Sequence, residues 1–158
     1  MERRQYPVPR QWLVADERLG DQLWSAVRHL PRGSGVLVLY RGLRRAERAR
    51  LMSRIRRIAA RRGLIVADEA AGEAARVHNL RELRDAGLAG VPLLFLSPIF
   101  ATRGHPQWLP QPRMRAAALT RLAGVPVIAL GGMDEERFRQ IERLGFHGWA
   151  GISSWIRT

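Results

Sequence analysis

The chain has 158 residues, 46% of them hydrophobic, which is enough for one domain, residues 1–158, with a substantial core. It has no Cys, and all 27 of its basic residues are Arg, giving a net charge of +13; disulfides, thiolate metal sites and Lys chemistry are excluded. The opening MERRQYPVPRQW lacks the apolar core of a signal peptide and no apolar run approaches about eighteen residues, so a soluble, cytoplasmic protein with no membrane partner is expected.

QWLVAD (11–16) reads as a first strand, followed by a helix at 20–29. GVLVLY (35–40) predicts a second strand, and the arginine-dense run from Arg41 to Gly63 a helix at 44–61. In that helix Leu51, Ile55, Ile58 and Ala59 recur at helical spacing, while Arg44, Arg45, Arg48, Arg54, Arg56 and Arg57 fill most other positions. A solvated basic face explains this pattern. Binding of nucleic acid is disfavoured, because no aromatic residue is interleaved and no recognition motif accompanies the charge.

GLIVAD (63–68) and ARVH (75–78) predict the third and fourth strands, with a helix at 79–86 after the latter. PLLFLS (92–97), a helix at 113–122, VPVIAL (125–130), a helix at 134–143 and HGWAGIS (147–153) complete the series. Gly63, Gly87, Gly124 and Gly145 stand where helices should stop. Several strands are continuously apolar, as strands buried on both faces should be, and the β–α alternation predicts a parallel sheet with crossover helices.

Seven strands, most followed by a helix, favour a (β/α)8 TIM-barrel type of fold that is shortened. The link from Asp68 to Ala75 is too brief for a parallel crossover of about a dozen residues. The chain is also below the ~200 residues of ordinary barrels, so about one βα unit is missing between the third and fourth strands. Either those strands neighbour each other directly, or a partner chain, as in a homodimer, fills the gap.

In such folds ligands gather at the C-terminal ends of strands. Those ends carry Asp16 and Glu17, then Arg41, then Asp68 and Glu69, then His78 and Asn79. The later strands end in the loop from Ser97 to His105, in Gly131-Gly132 and in Ser153-Ser154. The set suits a small phosphorylated ligand. A glycine pair lets backbone N–H groups approach an anion, although a plain turn explains it equally. GISSW resembles a phosphate-cradling turn, and Ser153 as a simple cap is the equal alternative. His29 and His147 read as structural; His78 and His105 are better placed, but no His pair has zinc-ligand spacing. The five Trp are assigned mostly to core or rim packing.

Three segments together resemble the thiamine phosphate synthase/TenI family of (β/α)8 barrels. LFLSPIFATRGHP is similar to its "GP(I/V)FPT…K/HP" loop, PVIALGGMDEERFRQIERLGFHGWAGISSWI to its ending "PVVAIGGI…GA.GVAVISAI", and QWLVADERL to its opening "YLVTD". The resemblance implies a magnesium-dependent transferase. It would join hydroxymethylpyrimidine pyrophosphate to thiazole phosphate, releasing pyrophosphate and giving thiamine monophosphate.

By the same resemblance Arg41 and Thr102 would contact pyrophosphate and Asp68 would bind magnesium. Gly132, Ile152 and Ser153 would cradle the thiazole phosphate, with Gly131, Ser97 and Arg103 as further substrate-binding residues and Arg103 alongside His105. The family's Lys two residues after the Arg is Leu43 here, its Asn before the metal Asp is Ala67, and its loop Lys is replaced by His105. Its "GVHLGQ.D" strand, which supplies a further magnesium carboxylate, has no counterpart. Two functions are therefore expected: a shortened synthase, or a TenI-like member that binds thiazole phosphate or a related ligand without performing the transfer. A nucleic-acid-associated protein is the third alternative.

Overall fold

The computed structural model describes residues 7–156; most of the charged N-terminal stretch read above lies outside the described residues. Seven strands form, at the places expected: β1 (Gln11–Ala15), β2 (Gly35–Val38), β3 (Ile65–Asp68), β4 (Ala75–Val77), β5 (Leu94–Leu96), β6 (Val127–Leu130) and β7 (Gly148–Gly151). The helices are α1 (Gln22–His29), α2 (Arg45–Arg62), α3 (Leu80–Leu88), α4 (Arg113–Leu122) and α5 (Glu135–Ile141). α3 runs one residue past Gly87, the residue expected to stop it, and is capped at Ala89, whose amide donates to the Asp85 and Gly87 carbonyls. No helix among the described residues is long and apolar enough to cross a membrane.

All neighbouring strands are parallel, in the order β3-β2-β1-β7-β6-β5-β4. The two ends of this sheet are consecutive in sequence. A flat sheet of seven strands would hold its outer strands about 29 Å apart, whereas the chain from Asp68 to Ala75 reaches at most about 25 Å. The sheet must curl, and it does so far more tightly than that limit. The Glu73 amide donates to the Asp68 carbonyl (3.2 Å), and the Asp68 amide donates to the Glu73 carboxylate (2.8 Å).

The expectation that β3 and β4 pair directly is not met. They form no ladder, and the link between them, a short 3₁₀ turn (Glu69–Ala71) followed by Glu73, occupies the seam. A carboxylate of the link thus satisfies an amide that a missing strand would otherwise engage. The result is a curled, incompletely closed barrel with helices outside.

Alternation along each strand separates an inner core from two outer ones. Trp12, Val14, Leu37, Leu39, Ala67, Phe95, Ile128 and Ala150 point inward and pack together. Leu13, Ala15, Val36 and Val38 point outward against α1 and α2, while Leu94, Leu96, Val127 and Ala129 pack against α3, α4 and α5. Trp12 takes the most room: its ring meets Phe95 edge-on at 5.3 Å and lies over Gly35, where a Cβ would come within 2.2 Å of the indole. Filling the interior with two large aromatics is what a barrel short of one unit permits, since each fully buried ring contributes about 2–3 kcal/mol.

Candidate ligand-binding site

β4 places one charged residue among these apolar inner positions. Ala75 and Val77 face the outer core, so Arg76 between them turns inward, toward Glu69 of the seam. Arg76 donates two hydrogen bonds to the Glu69 carboxylate (2.8 and 3.0 Å), and Arg41 from the end of β2 donates a third. Burial alone would raise the Glu69 pKa, but Arg76 and then Arg41 hold it below its ordinary value.

Asp68, at the end of β3, is buried and similarly engaged. Arg48 of α2 grips both its oxygens, at 2.6 and 3.0 Å, and the Ala70 amide donates to one of them at 3.0 Å. The Arg48 hydrogen bonds pull the Asp68 carboxyl below the usual carboxylate range. Arg48 also donates to the Tyr40 carbonyl (3.1 Å), and Arg56 stands 4.0 Å from Glu73. The arginine-rich helix is therefore more than a solvated face: Arg48 and Arg56, about two turns apart, both reach the seam.

A resident magnesium ion does not fit this arrangement. Magnesium needs oxygen ligands in near-octahedral order, and here both Asp68 oxygens already accept from a guanidinium that would also repel the ion. Among the described residues no group of three His, Asp or Glu side chains is close enough to share a metal.

The other side of the rim is open. A cavity of about 650 Å³ lies between the ends of β1, β5, β6 and β7 and the loop after β5. Of the residues expected from sequence, Ser97, Thr102, Arg103, His105, Gly131, Gly132, Ile152 and Ser153 line it together; Arg41 and Asp68 do not. Arg18, Arg76 and Arg137 line it as well, Arg18 bonded to Asp16 (2.6 Å) and Arg76 to Glu69, and Asp134 is the only acid in the lining among the described residues. Asp134 is itself engaged, accepting from the Arg137 amide at 2.8 Å as the cap of α5.

Gly131 and Gly132 have left-handed backbones (φ 104° and 60°). The loop after β5 presses on both: a Cβ on Gly131 would stand 2.9 Å from the Pro98 Cα, and one on Gly132 would stand 2.6 Å from the Ala101 carbonyl oxygen. The pair is thus needed for the close approach of that loop as well as for the turn. Ile99 and Phe100 amides donate to the Leu130 and Gly131 carbonyls, stitching the loop to the end of β6. The amides of Gly132 and Ser153 donate to no acceptor among the described residues, and both residues line the cavity. Ser154 is used differently, its hydroxyl donating to the Met133 carbonyl at 2.8 Å.

Four basic or aromatic lining residues were not singled out from sequence. Arg76 carried a readable signal, a charge flanked by outward-facing apolar residues in a short strand. Trp108 follows His105 by three residues in the same loop. Arg18 and Arg137 gave none; they reach the cavity only because the turn after β1 and the first turn of α5 converge there. The structural reading of His29 and His147 agrees with their bonds, to the Ser25 carbonyl within α1 and to the Val8 carbonyl, both 2.7 Å.

Residues 74–155 match the family model described as thiamine monophosphate synthase, a span that starts at the seam and contains nearly the whole cavity lining. A protein of Aquifex aeolicus named "Putative thiamine-phosphate synthase 2" is 33% identical over 79 residues, half of this chain; the match spans 42% of that protein's length. Among solved structures, a thiamine phosphate pyrophosphorylase from Pyrococcus furiosus superposes with a TM-score of 0.73 at 17% identity, over 91% of this chain and 85% of that one. A thiamine phosphate pyrophosphorylase from Bacteroides thetaiotaomicron gives 0.55 at 14% identity, over 92% and 83%. At these identities the structures speak for the fold alone. The family-model match covers more than half of the chain, and on that ground the chain belongs to the thiamine monophosphate synthase family.

Proposed function

We propose that this chain is a ligand-binding member of the family, which takes a phosphorylated thiazole or a closely related phosphorylated heteroaromatic molecule in its open cavity. The observation that carries this reading is the division of the rim. The β5–β7 side presents a cavity lined by Arg103, Arg137, Gly132 and Ser153, and the Gly132 and Ser153 amides have no acceptor among the described residues. On the β2–β4 side Arg41, Asp68 and Glu69 are already bonded to partners within the chain. An anion bound by backbone amides and guanidinium groups is stabilised without a metal, as charge-assisted hydrogen bonds in a partly dry site are the strong ones. The reading places the protein among small phosphorylated metabolites of the cytoplasm, with no role for membrane or nucleic acid.

A second reading, the pyrophosphate-releasing transferase itself, is favoured by one feature: Ser97, Thr102, Arg103 and His105 share the cavity with the phosphate side. In that case the chain would have to neutralise a departing polyanion with Arg103, beside His105. The two readings separate in one experiment. Purified protein is titrated calorimetrically with thiazole phosphate, then incubated with that compound, hydroxymethylpyrimidine pyrophosphate and magnesium, beside an Asp68→Ala variant. Binding without thiamine monophosphate above the variant's level is the expected result. Product that depends on Asp68 would establish the synthase, and absence of binding would sink the first reading.

A further inference from the structure

The cavity has an aromatic wall that phosphate binding alone leaves without a role. His105 and Trp108 lie face to face at its mouth, ring centres 3.9 Å apart and planes 8° from parallel. His78 meets the same indole edge-on, at 5.9 Å and 78°. Among the described residues these three are the only aromatic rings in the lining, and Trp108 keeps 42% of its surface exposed. The other four Trp are engaged elsewhere: Trp12 inside the barrel, Trp149 and Trp155 stacked on each other at 5.2 Å, and Trp24 under the Arg54 guanidinium at 3.7 Å.

The loop that carries this wall is held in place. The Gln111 side-chain amide donates to the His78 and Ser97 carbonyls, and its backbone amide donates to Pro98 at 2.8 Å, tying the loop to the ends of β4 and β5. Within the loop the Trp108 amide donates to the His105 carbonyl (3.0 Å), and the His105 amide donates to the Thr102 hydroxyl (3.1 Å). The indole is therefore positioned before any ligand arrives, which removes an ordering cost from binding.

We propose that Trp108, braced on one side by His105, is the ring-recognition residue of this cavity. It stacks on the planar heteroaromatic part of a ligand whose phosphate lies at Gly132 and Ser153. An indole presents a broad polarisable face to which any flat ring can stack, and His105 and His78 limit the positions the indole can adopt. The inference rests on the binding function proposed above and adds to it the residue that distinguishes a ring-bearing phosphate from a bare one.

The test compares two ligands on three proteins. Wild type, Trp108→Ala and Trp108→Phe are titrated calorimetrically with thiazole phosphate and, separately, with inorganic phosphate. The expected result is a loss of about tenfold in thiazole phosphate affinity for Trp108→Ala, largely restored in Trp108→Phe. Inorganic phosphate affinity should stay within about twofold in all three, which also shows that the loop still folds. Equal weakening of both ligands, or no weakening of either, would overturn the role of Trp108 while leaving the cavity's function standing. A wild type that binds inorganic phosphate but not thiazole phosphate overturns it as well. A wild type that binds neither removes the proposed function, and the inference with it.

Discussion

At the ends of β2, β3 and β4 the carboxylates of Asp68, Glu69 and Glu73 are met by Arg48, by Arg41 and Arg76, and by Arg56. At the ends of β5, β6 and β7, Arg103 and Arg137 face a cavity of about 650 Å³ in which the one acid among the described residues, Asp134, caps a helix. Both regions draw on the same residue types. In the first, opposite charges and a link of six residues close a sheet that lacks one unit; in the second, unmatched positive charge and left-handed glycines leave room for an anion. The difference teaches that a residue type at a strand end does not define its use. Its use depends on whether the fold supplies a partner before a ligand can.

The largest expected effect tests the closed side. Asp68→Ala leaves the Arg48 guanidinium, itself mostly buried, without its partner, and should cost about 3 kcal/mol in urea unfolding. Phosphate affinity should stay within about twofold, because Asp68 is not part of the cavity lining. If affinity collapsed while stability held, Asp68 would belong to the ligand site and the division of the rim would break.

Gly132→Ala tests the open side. A Cβ there must stand at φ 60° and 2.6 Å from the Ala101 carbonyl oxygen, so backbone has to move. About 2 kcal/mol of stability should be lost, and phosphate binding should weaken more than about tenfold as the amide turns away.

Acid should act on the closed side first. The pKa values of Asp68 and Glu69 are both depressed in the folded protein, so the unfolded chain binds more protons than the folded one in the acid range. Their stabilisation is fully present above the ordinary carboxylate values near about 4, and is lost as pH falls below them. Unfolding free energy measured from about pH 5 downward should decline, and decline less steeply in Asp68→Ala. An unchanged slope in the variant would show that this pair does not hold the seam. The smallest effect belongs to Arg137→Ala. Its side chain is exposed and donates to the Gly132 carbonyl, so stability should change by no more than about 0.5 kcal/mol while phosphate affinity falls about fivefold.

Six of the seven strands were legible because they carry apolar residues on both faces, β4 by its outward Ala75 and Val77 alone, and five helices were legible from their periodicity and flanking residues. The shortage of one unit was legible too, from the six residues between Asp68 and Ala75. How the gap is filled was not. Nothing in the string DEAAGE says that Glu73 will turn back to the Asp68 amide, or that Arg48 will reach Asp68 from twenty positions away. For the site, the loop from Ser97 to His105 and the two glycines were found by their place after apolar strands, and they do meet in one cavity. Arg41 and Asp68 were placed with them by the resemblance, and the fold keeps those two apart from it.

What the sequence determined by itself is therefore local: which segments are strands, which are helices, and which strand ends carry polar groups. Burial on one or two faces writes itself into residue periodicity, and that information needs no knowledge of neighbours. Which charges are matched and which are left to a ligand was decided only when the sheet curled. Pairings such as Arg76 with Glu69 and Arg48 with Asp68 depend on how strands stagger around the barrel, and long-range contacts of that kind leave no period along the chain.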